Sequence, residues 1–359
     1  MGHGTLGRHT VPMRRIALLG ATGSIGRQAL EVIAANDELE LVAATSGSTP
    51  IDGLAPLTQV GGDPSELLER AEPDLVLNAT LGFAGLAATM WALERGVTLA
   101  LANKESLVAA GELALTARAR GGGQLIPVDS EHSALFQCAQ LGEPESLVLT
   151  ASGGPFRGLR HHDLTDVTAE QALAHPTWNM GAKITIDSAT LANKGLEVIE
   201  AHFLFGLQYD RIEVVVHPTS IVHGLVRFAD GAAIAHLGYP DMRVPISYAL
   251  TYPRRAATPV PALDLTMGPL EFEAPDAETF RMLPLAREAG ERGGTYPCAY
   301  NAANEVAVAA FLAGRIGFLD IAALVEDVLG RVDGAAARDV GELHEADAQA
   351  RELVESVWA

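Results

Sequence analysis

The chain has 359 residues, 48% of them hydrophobic, and a mean hydropathy of +0.17, enough apolar material for two or three globular domains. No apolar run nears the ~20 residues that cross a bilayer, and the opening "MGHGTLGRHTVPM" has no apolar core behind its charges, so neither a membrane partner nor a secretory signal is expected. A formal net charge of −20 repels nucleic-acid phosphates, and two cysteines, Cys138 and Cys298, give no disulfide framework, so the expected setting is the cytoplasm.

After a loose extension over residues 1–13, "RIALLGATGSIGRQALEVIAAN" reads as strand, glycine turn and amphipathic helix. "LELVAAT", "PDLVLNAT" and "VTLALAN" read as further buried strands, with the helical "GLAATMWALERG" between the last two, which implies a parallel sheet covered on both faces. The next region, to about residue 250, mixes the strands "ESLVLTAS", "RIEVVVHP" and "AAIAHLG" with a helix after "DSATLANKG". Residues 251–276 carry five prolines and no period, which suggests an extended connector. From about 277 the pattern is helical, as in "NAANEVAVAAFLAGRIGF" and "DIAALVEDVLGRV".

The turn "GATGSIG" places Gly20, Gly23 and Gly26 between a strand and a helix, where backbone amides can approach a pyrophosphate. The second strand ends in "AATSGSTP", without the acidic residue that holds a ribose 2′-hydroxyl in NAD-specific sites. Hydroxyls of Ser46, Ser48 and Thr49 favour NADP at that position.

"LIPVDSEHSALF" leaves Asp129 and Glu131 where a buried strand should finish, a costly placement unless something neutralises them. In "TIDSATLANKGLEVIEAHFLF", Ser188 reads as the cap of the following helix, on which Asn193, Lys194 and Glu197 share a face. A solvated Lys194–Glu197 bridge is the commoner fate of such a pair, but the adjoining apolar face and the unmatched acidic pair point to a site. Three gathered carboxylates would take up protons unless a cation sat among them, and oxygen ligands suit Mg²⁺ or Mn²⁺, with Co²⁺ a third candidate. Lysine is scarce: only Lys104, Lys183 and Lys194 occur among 25 basic residues, which suggests that a proton-sharing ammonium matters at these places. Hydroxyls and turn amides of "TASGGPFRG", with Ser188, Asn193 and Lys194, are candidates to hold a phosphate. "HPTWNMG", with Trp178 between breakers, reads as a flap over a ligand.

Taken together, "GATGSIG", "LANKESLV", "VDSEHSA", "ASGGPFR", "HPTWNMG", "DSATLANKGLEVIEA", "HPTSIVHG" and "NAANEVAVAAFL" resemble the 1-deoxy-D-xylulose 5-phosphate reductoisomerase family, in the family's order along nearly the whole chain. The resemblance implies an α/β chain with an N-terminal Rossmann-like dinucleotide-binding domain, an α+β catalytic domain and a C-terminal helical domain. Its expected division is an NADPH-binding domain at 1–128, a catalytic, metal- and substrate-binding and dimerisation domain at 129–250, a connector at 251–276 and helices at 277–359.

It implies metal ligation by Asp129, Glu131 and Glu197, and catalytic roles for Lys104, Glu131, His175 and Glu197. Substrate contacts would come from Lys104, Ser130, Glu131, Ser152, His175, Trp178, Ser188, Asn193, Lys194 and Glu197, with Lys104 polarising or protonating a substrate oxygen. Cofactor contacts would involve Thr22, Gly23, Ser24, Ile25, Gly47, Ser48, Thr49, Asn103, Glu105 and Gly181. The implied reaction rearranges a small phosphorylated ketose and reduces the product with NADPH, in a homodimer. The chain departs from the family at "TSGSTP", where members commonly carry a basic residue followed by Asn, which implies a weaker NADPH selectivity; the segment from about 50 to 75 is also shortened. Two other classes are open from the residues alone: a dehydrogenase that works without rearrangement or metal, and a nucleotide-sensing regulator on a dinucleotide fold.

Overall fold

A computed structural model of the chain describes residues 13–178 and 180–357, so the extension expected over 1–13 lies, but for Met13, outside the described residues. Among these residues ten strands and thirteen α-helices form two sheets and a helical cap.

The first layer runs β1 (Arg14–Leu19), α1 (Ser24–Ala34), β2 (Leu39–Ser46), β3 (Leu57–Val60), α2 (Ser65–Ala71), β4 (Leu75–Asn78), α3 (Leu86–Glu94), β5 (Thr98–Leu101), α4 (Lys104–Gly121) and β6 (Leu125–Pro127). All strand pairs are parallel, in the order β3-β2-β1-β4-β5-β6. Alternate residues feed two separate cores: Ile16, Leu18, Leu75 and Leu77 on one face, Ala17, Leu19, Val76 and Leu99 on the other. A sheet covered on both sides demands such continuous apolar strands. At the turn after β1, Gly20 has φ +79°, and any side chain there would strike the Ala79 carbonyl. The segment 50–75 holds β3 and α2, two elements that the sequence pattern did not announce.

The chain continues through α5 (Ser130–Ala139), β7 (Ser146–Ala151), α6 (Ala169–Leu173), α7 (Ala182–Thr190), α8 (Ala192–Phe205), β8 (Ile212–Val216), β9 (Val222–Arg227), β10 (Ala233–Leu237) and α9 (Arg243–Thr251). The second sheet is mixed, ordered β10-β9-β7-β8. α9 returns to the first layer, where Ile246, Ala249 and Leu250 complete one face of its core. After the proline-rich connector come α10 (Met282–Arg292), α11 (Tyr296–Leu312), α12 (Asp320–Arg331) and α13 (Val340–Glu355). Their apolar faces share one core with β7, α7 and α8, so α8 lies between the second sheet and the helical cap.

Candidate active site

The first layer delivers the acidic pair. β6 ends at Pro127, Asp129 stands in the cap position of α5, and Glu131 lies in its first turn. A capping carboxylate normally accepts from first-turn amides. Asp129 makes no such bond and pairs instead with Lys104, at the head of α4. Ser130 Oγ donates to Glu131 at 2.5 Å.

The third carboxylate comes from α8. Glu197 is fully buried; Asn193 Nδ2 donates to its Oε1 at 2.7 Å and Lys194 Nζ to its Oε2 at 2.6 Å. Lys194 also donates to Glu131 Oε1 at 2.9 Å, while Lys104 reaches Asn193 Oδ1 at 2.8 Å and Glu197 Oε1 at 3.3 Å. Oxygens of Asp129, Glu131 and Glu197 all lie within 4.8 Å of one another. The Lys194–Glu197 pair is therefore interior, not a solvated bridge.

Three carboxylates against two ammonium groups leave the cluster one negative charge in excess. Burial, then the charge of Glu197, push the Glu131 carboxyl up; burial also works against Asp129, but Lys104 outweighs it and holds Asp129 well below the usual range. Burial opposes charge on Lys104 and Lys194 too, yet the carboxylates win and both are pushed up. Both ammonium groups are thereby held in the charged form, which suits Lys104 to polarise a substrate oxygen. Oxygen-only donors, a residual negative charge and a carboxyl that gathers a proton together fit a hard divalent cation such as Mg²⁺ or Mn²⁺.

Below the cluster sit two residues that sequence reasoning missed. His132 Nε2 lies 2.9 Å from the Glu197 carbonyl oxygen, so it carries the proton it donates, and Nδ1 lies 2.8 Å from Glu200 Oε2. Burial lowers the imidazole's proton affinity, but Glu200 more than restores it, to a pKa of about 9. The only available signal was spacing: His132 lies three residues after Asp129, and Glu200 three after Glu197.

A hydroxyl-lined subsite forms from three other segments. His175 Nε2 lies 3.0 Å from Ser152 Oγ and 3.1 Å from Ser188 Oγ, while Nδ1 accepts the amides of Thr177 at 3.1 Å and Trp178 at 2.9 Å. A ring nitrogen that accepts two amides is unprotonated, which puts the proton on Nε2, and burial lowers the pKa further toward the neutral ring. A Cβ on Gly154, whose φ is +68°, would stand 2.8 Å from the Ser188 carbonyl, so glycine lets this loop seat directly on α7. Ser188 lies inside α7 and does not cap α8, as its spacing suggested; Leu191, with φ 62°, separates the two helices. The half-buried Trp178 lies with its ring 6.3 Å from that of His223. His223 and Ser130 line a cavity of about 260 Å³.

The glycine turn ends in Gly23, which caps α1 without a side-chain partner and leaves first-turn amides, including those of Ser24 and Ile25 after Thr22, open to an anion. Gly47, Ser48 and Thr49 are exposed just past β2. The Ser46 hydroxyl, offered above for a 2′-phosphate, is instead buried and donates to the Thr49 carbonyl. Asn103 spends its side chain on structure: Nδ2 donates to the Thr80 and Gly82 carbonyls at 2.8 Å each, and Oδ1 accepts from the Ser106 amide at 3.2 Å. Glu105, pushed up by burial despite Lys183 at 3.7 Å, lines with that lysine a cavity of about 700 Å³ against α11. Gly181 is exposed at the cap of α7.

Comparison with known proteins agrees along the chain. Residues 16–62 and 58–111 match the profile described as 1-deoxy-D-xylulose 5-phosphate reductoisomerase, residues 125–205 its C-terminal domain, and residues 237–353 a DXP reductoisomerase C-terminal domain. A 1-deoxy-D-xylulose 5-phosphate reductoisomerase of Thermomicrobium roseum is 51% identical over 346 residues, covering 88% of this chain and 90% of that one. The structure is similar to that of the Zymomonas mobilis enzyme in complex with NADPH (TM-score 0.87, 39% identity, 96% of this chain and 99% of that one). It is also similar to a DOX-P reductoisomerase in complex with NADPH, fosmidomycin and magnesium (TM-score 0.86, 36% identity, 96% and 98%).

Proposed function

The chain belongs to the 1-deoxy-D-xylulose 5-phosphate reductoisomerase family, and from that premise we propose how its own residues carry the reaction. The enzyme converts 1-deoxy-D-xylulose 5-phosphate to 2-C-methyl-D-erythritol 4-phosphate in non-mevalonate isoprenoid biosynthesis, using NADPH and a divalent cation. The observation that carries the assignment of roles is the meeting of Asp129, Glu131 and Glu197, from two layers of the fold, around two buried lysines.

Those carboxylates would hold Mg²⁺ or Mn²⁺, which supplies Lewis acidity to the ketone and hydroxyl oxygens of the substrate. NADPH supplies the hydride for the reduction that follows rearrangement. Thr22, Gly23, Ser24 and Ile25 receive its pyrophosphate on the head of α1, at the point where the strand order reverses between β1 and β4. Gly47, Ser48 and Thr49 take the ribose end with hydroxyls and no cation, while Asn103, Glu105 and Gly181 bound the other end. Ser152, His175 and Ser188 bind the substrate phosphate, the neutral imidazole donating from Nε2, with Asn193 and Lys194 beside them. Lys104 polarises a substrate oxygen, Ser130 orients Glu131, and Trp178 closes the segment over the site against water.

Residues 1–128 act as the cofactor domain, 129–250 as the catalytic and dimerisation domain, 251–276 as connector and 277–359 as helical domain. The enzyme works as a homodimer in the cytoplasm, a setting that suits its two free cysteines. No described helix is long and apolar enough to cross a membrane.

Loss of NADPH absorbance with 1-deoxy-D-xylulose 5-phosphate is expected with Mg²⁺ or Mn²⁺ present and should stop on chelation. Turnover that survives a chelator would remove the carboxylate assignment.

A further inference from the structure

The stretch "NAANEVAVAAFL" lies on α11, and nothing in the proposed chemistry uses it. Its Asn304 is fully buried, and Nδ2 donates at 2.8 Å to Asp187 Oδ1 on α7. The other Asp187 oxygen lies 2.7 Å from Lys183 Nζ, one turn earlier on the same helix. One turn before Asn304, Tyr300 donates to the Met282 carbonyl of α10 at 3.0 Å, so this face of α11 is itself anchored.

Asp187 immediately precedes Ser188. Consecutive helical residues point about 100° apart, so one neighbour faces α11 while the next presents its hydroxyl to His175. α7 has only nine residues, entered at Gly181 and left through the left-handed Leu191, with Ile186 and Ala189 in the core and Asp187 as its polar tie to α11. A turn of about 20° would carry a hydroxyl oxygen roughly 4 Å off the helix axis by more than 1 Å, enough to break a hydrogen bond to a bound phosphate.

We propose that Asn304 and Asp187 are positioning residues: their buried hydrogen bond sets the rotation of α7 and so places Ser188 in the phosphate subsite. The C-terminal helices thereby belong to the substrate-binding apparatus. This rests on the reading of Ser152, His175 and Ser188 as that subsite.

The test is Asn304→Leu, which keeps the volume and removes the donor, studied in the full-length enzyme with Mg²⁺ present. Calorimetric titration with inorganic phosphate and steady-state kinetics should show phosphate Kd and substrate KM raised about tenfold, kcat within about threefold, and NADPH Kd raised by no more than about threefold. If the leucine variant does not fold, Asn304→Ala removes the donor without bulk and carries the same expectation. A phosphate Kd within about twofold of wild type despite a lower Tm, or equal weakening of phosphate and NADPH, overturns the proposal. The phosphate titration needs no turnover, so it judges α7 positioning even if the wild-type enzyme fails on 1-deoxy-D-xylulose 5-phosphate, a failure that would strike the functional reading alone.

Discussion

The His132 imidazole is held between the Glu197 carbonyl and the Glu200 carboxylate, both buried, and its pKa of about 9 exceeds the ordinary 6.5. A folded-state value above the unfolded one means stability that is complete below pH 6.5 and disappears as the pH rises through about 9. Urea unfolding of the chelator-treated protein should therefore lose on the order of 3 kcal/mol across that window, and His132→Gln should remove this part of the slope. Identical slopes in the two proteins would mean that the ring is not charged. Of the three clustered carboxylates, Asp129 and Glu131 were legible as anions without a local partner, whereas Glu197 had Lys194 on its own helix face and joined them through the family resemblance. The dyad beneath them was not, because nothing in a histidine one residue past Glu131 reveals that a second helix passes under it. The lysines show the same limit: their scarcity marked them, but the sign of their pKa shifts depends on carboxylates that only the tertiary fold supplies.

Between elements, α8 packs closely against α10 beside the site. A Cβ on Gly195 would stand 2.5 Å from Ala286 Cβ and 3.1 Å from Tyr300 Oη, and Gly195 lies between Lys194 and Glu197. Gly195→Ala should cost about 1–3 kcal/mol by overpacking and lower turnover by tilting both neighbours. Adding Ala286→Gly reopens the space, so the double variant should be less destabilised than the sum of the two single ones. Strict additivity in thermal unfolding would show that the helices are not in contact there. Strands of the first layer were readable because a doubly covered parallel sheet forces unbroken apolar runs. β3 was not, being a four-residue edge strand with no fully buried residue. The break between α7 and α8 gave no warning either, since a left-handed turn is normally announced by glycine and here falls on Leu191, at a backbone cost of roughly 1–2 kcal/mol. Thr190 supports it, accepting the Ala192 amide at 3.2 Å and donating back to the Ile186 carbonyl at 3.2 Å.

Over the whole molecule, the order of the segments could be read from composition, but not the return of α9 to the first layer, which local periodicity cannot encode. The same long-range logic bears on assembly. Among the described residues β10 is the open edge of the second sheet, whereas the other edge, β8, is closed at Val216 by a bridge to Glu273. An unpaired edge invites another chain. The connector crosses nearby, with the Asp264 amide bonded to Tyr239 Oη at 3.3 Å, and it exposes Leu265 (78%), Met267 and Leu270 before it reaches β8 at Phe272 and Glu273. An apolar strip beside an open edge is the surface a second copy would cover. Each copy carries a net charge of −20, so long-range repulsion opposes the pairing and only short-range apolar burial favours it. Since ~0.1 M salt screens charge beyond about 10 Å, sedimentation equilibrium should show a dimer that tightens as salt is raised. The paired substitution Leu265→Asp and Leu270→Asp should give monomers with the fold intact. A dimer unaffected by the two aspartates would place the interface elsewhere, and one that weakens with salt would mean that ion pairs, not apolar burial, hold the copies together.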